Sequence, residues 1–269
     1  RILVKVHQCL GKMASWIFVA IVSCLVSGLQ AQINYCSTSY CRNGRQNVGC
    51  NPPGIPGGPA CAGLKPMVIT INSTLQTLIL SEHNTRRSQL ALGQLKPFLP
   101  AVRMPTLTWD EELAKQAGNN ARSCQYQHDS CRNTPIYAWA GQNIALAQYS
   151  RMTNTISQLI SSNIASWWNE YSFTKQEQLN SYPSSNSGPA IGHFTQMASD
   201  QTAKIGCAMQ NWVSGNWQTY YFVCNYAVTN IIDRPVYKAG AVASKCTTGR
   251  NPTLPGLCSV SETIKPVPN

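Results

Sequence analysis

The sequence predicts an α+β domain stapled by disulfides and folded outside the cytosol. Three observations carry that expectation. Helix-period apolar patterns lie between residues 71 and 170 and strand-like runs follow residue 204, without the strand–helix alternation of a parallel α/β protein. The 269 residues include 12 cysteines, a density that fits an oxidised secreted chain better than a cytosolic one. With 43% apolar and 12% charged residues, the chain has enough hydrophobic surface for a core and too little charge for wholesale disorder.

Residues 1–31 are set aside before the fold is built. The first methionine is Met13, a short apolar run over 16–22 follows it, and Leu29-Gln30-Ala31 stands ahead of Gln32. With a basic residue upstream, this reads as a signal peptide starting at Met13, residues 1–12 being translated upstream sequence. The run is short against the roughly 20 residues that a membrane-spanning helix needs, the alternative being an uncleaved anchor. Removal takes Arg1, Lys5, Lys12, Cys9 and Cys24, leaving 18 basic against 10 acidic residues and ten cysteines, an even number that can pair completely. No second long apolar run follows, so no transmembrane segment is expected.

Residues 32–66 form a cysteine-rich amino-terminal extension. Cys36, Cys41, Cys50 and Cys61 stand among Asn, Gly and Pro, a composition that excludes long helices and strands. The main domain is expected over 67–238. Its first helix spans 71–92, where Ile71, Leu75, Leu78 and Ile79 share a face and Asn72 or Ser73 caps the start. Asn72-Ser73-Thr74 is the sole N-glycosylation sequon of the chain. Prolines at 97, 100 and 105 lead to a second helix opened by Asp110-Glu111-Glu112 and running to about Cys124. A third covers 154–170, with Ile156, Ile160, Ile164 and Trp167 on one face; Glu170 continues that apolar stripe, which is an anomaly for an acid. Residues 171–190 read as loop. Strand-like runs over 204–209 and 218–226 flank a Gly215-Asn216 turn, with Cys207 and Cys224 placed to bridge them. Residues 239–269 form a short tail closed by Cys246 and Cys258.

The positive balance carries no basic helix and never more than two basic residues together, so nucleic acid is not an expected partner. A salt-sensitive attraction to sulfated glycans or anionic lipid is the remaining electrostatic reading.

Two segments narrow the identity. Gly192-His193-Phe194-Thr195-Gln196-Met197 and Tyr221-Phe222-Val223-Cys224-Asn225-Tyr226 resemble the two signatures of the CAP superfamily. Glu82-His83-Asn84 with Arg86, Leu107-Thr108-Trp109-Asp110 and Gly141-Gln142-Asn143-Ile144-Ala145 match the rest of its pattern in order. Asn34-Tyr35-Cys36 and the cysteines behind it resemble the antigen 5 branch, which includes insect venom allergens and salivary proteins of blood-feeding arthropods. Ala198-Ser199 departs from the family's Val-Trp, and Ala227-Val228-Thr229-Asn230 lacks its usual proline and glycine. The resemblance implies a CAP-type α-β-α sandwich with a small antiparallel sheet. It also implies the disulfides Cys36–Cys50, Cys41–Cys131, Cys61–Cys124 and Cys207–Cys224, with Cys246–Cys258 following by exclusion; spacing alone leaves every pairing open.

The resemblance further places two histidines and two acids in a central cleft. By motif these are His128 and His193, the helical acid Glu170, and Gln142 standing where the other acid would be. Neutral imidazoles suit Zn²⁺ or Cu²⁺, and a carboxylate can orient one of them. Gln142 removes a charge and a general base, which leaves a set suited to weak metal binding and thin for hydrolysis. His83, beside Arg86, is expected to be a hydrogen-bonded packing histidine, and Asn43-Gly44-Arg45 a tight turn. The chain has no Gly-x-Ser-x-Gly elbow, His-Glu-x-x-His or phosphate loop.

The expected function is that of a secreted, non-enzymatic antigen 5-like protein of saliva or venom that requires no cofactor. It would act on host haemostasis or immunity by binding a small lipid (fatty acid, eicosanoid or sterol) or a host plasma or cell-surface protein. The Leu, Ile and Trp stripes of the helices could line a lipid channel, although such stripes are ordinarily core. The alternatives are metal-dependent redox or hydrolytic chemistry at the cleft, and an internal role in haemolymph or reproduction.

Overall fold

The computed structural model describes residues 33–265. The leader predicted over 1–31, with its start at Met13, lies outside the described residues.

Local sequence signals set the helix starts. The Asn72 side chain accepts from the Leu75 N–H at 3.1 Å and caps α1, Ser73–Ala91. Asp110 does the same for Leu113 at 2.9 Å and opens α2, Glu111–Ala121. Thr155 and Gln158 form a reciprocal capping box for α3, Ile156–Asn169. Ile160, Ile164 and Trp167 are buried on the predicted stripe of α3. The stretch 171–190, expected to be loop, instead begins with a 3₁₀ turn, Glu170–Phe173, and includes α4, Gln176–Asn180. Leu179 is fully buried there, and that anchor orders the short helix. A further helix, α5, Gly192–Ala198, carries the first signature.

Besides the short strands β1, Met67–Ile69, and β2, Thr108–Trp109, the sheet contains β3, Gly141–Tyr149, β4, Lys204–Ser214, and β5, Trp217–Tyr226. The order β1-β4-β5-β3 is antiparallel throughout, and β2 pairs parallel with the start of β4. The hairpin β4–β5 is longer than the sequence suggested, reaching Ser214 and Trp217 across the turn at Gly215, whose φ is 59°. β3 was not expected as a strand. It is the edge strand, and only modest side chains alternate along it: Ile144 and Leu146 on one face, Ala145 and Ala147 on the other.

Both faces of β5 are covered. Tyr220, Phe222, Cys224 and Tyr226 enter the large core under α1, α3 and α5, while Tyr221 and Val223 pack against Ala117 and Ala121 of α2. Helix α2 lies so close to the sheet that a Cβ at Gly206 would collide with the backbone of Asp110 and Ala114. This is the helix–sheet–helix sandwich. Disulfides Cys36–Cys50, Cys41–Cys131, Cys61–Cys124, Cys207–Cys224 and Cys246–Cys258 use every cysteine among the described residues; the first four are the pairs the resemblance implies and the last is the one left by exclusion.

From Tyr35 onward the chain forms one compact unit. The tail belongs to it: Cys258 N–H donates to the Met104 carbonyl at 2.8 Å, Gly256 N–H to Ser88 Oγ at 3.2 Å, and Leu257 is fully buried. No helix among the described residues is long and apolar enough to cross a membrane.

Candidate functional site

The site is built at the free edge of the sheet, around β3. Successive residues of a strand point to opposite faces, so Gln142 and Asn143 serve two sides. On one, Gln142 Nε2 donates to Asp129 Oδ2 at 2.7 Å and to Asn225 Oδ1 at 3.0 Å. Those two acceptors fix the amide's orientation and turn Gln142 Oε1 toward His128 Nδ1, at 2.7 Å. Because a carbonyl oxygen only accepts, the His128 Nδ1 carries the proton and Nε2 keeps its lone pair. On the other side, Asn143 Nδ2 donates to the His193 carbonyl at 3.1 Å.

His193 is held the same way by a stronger partner. Its Nδ1 lies 2.6 Å from Glu170 Oε1, and the second carboxylate oxygen accepts from the backbone N–H groups of His193 at 2.8 Å and Phe194 at 3.1 Å. A carboxylate accepts the Nδ1 proton and leaves Nε2 free. Trp167 stacks on the ring, with centroids 5.9 Å apart and planes inclined by 23°, and is itself fixed by Nε1–H donation to the Ile144 carbonyl at 3.1 Å. Glu170 therefore follows the apolar stripe of α3 because it reaches past Trp167 to the start of α5.

His128 stands exposed at the rim. Partial desolvation lowers its pKa, and the Arg132 and His193 charges add to that, outweighing the Gln142 hydrogen bond and Asp129. His128 is accordingly neutral at physiological pH. Asp129, which the sequence reading did not single out, accepts from Asn120 Nδ2 at 2.9 Å and Arg132 Nε at 2.8 Å as well as from Gln142. Its adjacency to His128 in the chain was the available signal.

His83 stands apart from this pair. It is fully buried, with Nδ1–H on the Ile79 carbonyl at 2.8 Å and Nε2 accepting from the Tyr226 hydroxyl at 2.9 Å. Burial, reinforced by Arg87 and Arg86 against the Ile79 hydrogen bond, drops its pKa to about 3. It is a neutral packing residue.

The donor chemistry fits a metal only as a pair of imidazole Nε2 atoms. Glu170 and Asp129 are engaged behind the histidines, and no group of three or more His, Cys, Asp or Glu among the described residues is arranged to hold a metal.

Helix layers around an edge-open antiparallel sheet, five disulfides and two tethered histidines define a disulfide-stapled helix–sheet–helix class of fold. The chain belongs to CAP, the cysteine-rich secretory protein family, whose profile matches residues 80–226. It is 40% identical over 253 residues to Venom allergen-1 of Aedes aegypti, covering 94% of this chain and 98% of that one. It is 34% identical over 215 residues to Venom allergen 3 of Solenopsis invicta, covering 76% of this chain and 89% of that one. The crystal structure of NaASP2 with Zn²⁺ superposes with a TM-score of 0.58 at 28% identity, over 70% of this chain and 96% of that one.

Proposed function

We propose that this chain is a secreted binding protein of the venom-allergen type, acting on host haemostasis or immunity by capture rather than turnover. The captured partner is a small lipid mediator or a host plasma or cell-surface protein. The observation that carries the reading is the state of the carboxylates beside the histidines. Glu170 accepts three hydrogen bonds, Asp129 is shared among Asn120, Gln142 and Arg132, and Gln142 replaces an acid. No carboxylate is left free to act directly on a substrate, and His128 has the neutral amide Gln142 behind it where a base would be strengthened by an acid. The leader pattern over 1–31 and the fully paired cysteines support secretion.

The two free Nε2 atoms favour a second reading, in which His128 and His193 hold Zn²⁺ or Cu²⁺ and Glu170 orients His193 from behind. Such an ion would supply Lewis acidity, or a redox couple in the case of copper. The experiment is native mass spectrometry of the chain secreted from insect cells, paired with assays of peptide and ester hydrolysis and superoxide consumption in added Zn²⁺ or Cu²⁺. The binding reading expects no turnover, together with a retained lipid mass or capture of a plasma protein that survives His128→Ala with His193→Ala. Turnover abolished by that double variant would overturn it.

A further inference from the structure

A second concave site lies outside the histidine pair, between the loop after Cys41 and the segment 130–140. Its volume is about 430 Å³, and Arg42, Arg45, Arg132 and Trp139 line it, with no acidic residue in its walls. Arg132 is already paired with Asp129 at 2.8 Å. Arg42 and Arg45 have no carboxylate partner among the described residues.

The Asn43-Gly44 dipeptide explains why these two arginines stand together. Both residues have positive φ, 57° and 67°, and Arg45 N–H donates back to the Arg42 carbonyl at 3.2 Å. The arginines are thus the two ends of a tight turn that Asn-Gly is suited to close. The Arg42 guanidinium sits 4.3 Å from the centroid of Trp139, a cation–π contact that holds the charge over an aromatic wall.

The walls are preformed. Cys41–Cys131 joins the two sides, Val48 N–H donates to the Cys131 carbonyl at 2.8 Å, and Asn133 Nδ2 donates to the Tyr40 carbonyl at 2.8 Å. Thr229 N–H donates to the Trp139 carbonyl at 2.7 Å from the far side. Little ordering is left to oppose binding.

We infer that this cavity recognises an acidic peptide segment of a partner protein. An anionic side chain enters between Arg42 and Arg45, and its stem or ring lies along Trp139. A bounded cavity of about 430 Å³ fits one side chain and its flanking backbone. A sulfated polysaccharide would need an extended basic track, whereas the basic side chains lining this cavity are Arg42, Arg45 and Arg132, and Arg132 is already paired with Asp129. The inference deepens the binding reading above, since it names the chemistry of a partner and the surface that meets it.

The test is fluorescence anisotropy of the full secreted chain with a labelled peptide carrying one sulfotyrosine flanked by glutamates, at low and physiological salt. Arg42→Gln with Arg45→Gln should weaken binding by about tenfold or more. Arg151→Gln with Lys175→Gln removes the same charge elsewhere and should change it less than about twofold, as expected of remote surface charge. Both pairs are exposed, and circular dichroism with intact disulfide mass verifies folding. Equal loss in the two variants would overturn the site as general electrostatics. Preference for a heparin oligosaccharide over the peptide would overturn the peptide assignment. A chain that ignores the peptide yet retains another ligand overturns this site while leaving the binding reading standing.

Discussion

Glu170 and His193 are joined twice. The carboxylate accepts from the imidazole Nδ1–H at 2.6 Å and from the His193 backbone N–H at 2.8 Å, so one side chain fixes both the ring and the start of α5. The residue that looked out of place on an apolar helix face is the brace of the candidate site.

Replacing that brace tests its role. Glu170→Gln keeps the shape, but its amide cannot accept at every position now occupied, and one donor will face the His193 Nδ1 proton or a backbone N–H. The expected loss is about 1–3 kcal/mol of stability, read as a lower denaturation midpoint at constant slope. If His128 and His193 hold Zn²⁺, as in the second reading, its affinity measured by calorimetry should fall roughly 10- to 100-fold, the usual effect of removing the partner behind a ligating histidine.

His83 gives the stability a pH dependence of known sign. Its folded pKa of about 3 lies below the ordinary 6.5, so below pH 6.5 the unfolded chain takes up a proton that the folded chain refuses. Stability is full above 6.5 and falls toward pH 3, by up to about 1.4 kcal/mol per pH unit from this group. His128, also lowered, adds with the same sign. Urea titrations should show a shallower slope between pH 6.5 and 5 in His83→Gln; an unchanged slope would contradict the assignment.

Glu262 acts in a more acidic window. Burial opposes its charge, but Thr248 Oγ1, the Thr247 and Thr248 N–H groups and Arg103 outweigh it and hold the pKa at about 2 instead of 4.5. Its contribution is present above pH 4.5 and disappears as pH falls through 2. Glu262→Gln should be less stable at neutral pH and lose less on acidification, which thermal melts at pH 6 and pH 2.5 will show.

Asn72 combines a cap with a sequon. Its Oδ1 serves the Leu75 N–H, and the residue is exposed, which leaves Nδ2 available for a glycan. Mass spectrometry of protein secreted from insect cells should show one N-glycan, absent from Asn72→Asp and Asn72→Ala. Only the alanine variant should also lose the cap, about 1 kcal/mol.

The parts of this fold legible in the sequence were those with one strong local signal. Capped, periodic helices announced α1, α2 and α3, and apolar runs announced β4 and β5. Strand β3 escaped because an edge strand with Ala145 and Ala147 on one side carries too little hydrophobic contrast. Helix α4 escaped because a single buried Leu179 anchors it. At the site, resemblance brought His128, His193, Glu170 and Gln142 into view. The direction of each hydrogen bond, and the part played by Asp129, depend on side chains meeting across 13 and 83 residues of sequence, from Gln142 to Asp129 and to Asn225. No local pattern records such encounters.

The central claim is that His128 and His193 each donate from Nδ1, to Gln142 and to Glu170, which leaves Nε2 turned away from those partners and no free acid beside the rings. Long-range ¹H–¹⁵N correlation spectra of the ¹⁵N-labelled chain at neutral pH test it directly. The account predicts the Nδ1–H tautomer at His128 and His193, each lost or redistributed in Gln142→Ala and Glu170→Gln respectively. An Nε2–H tautomer at either residue in the unsubstituted chain would contradict it.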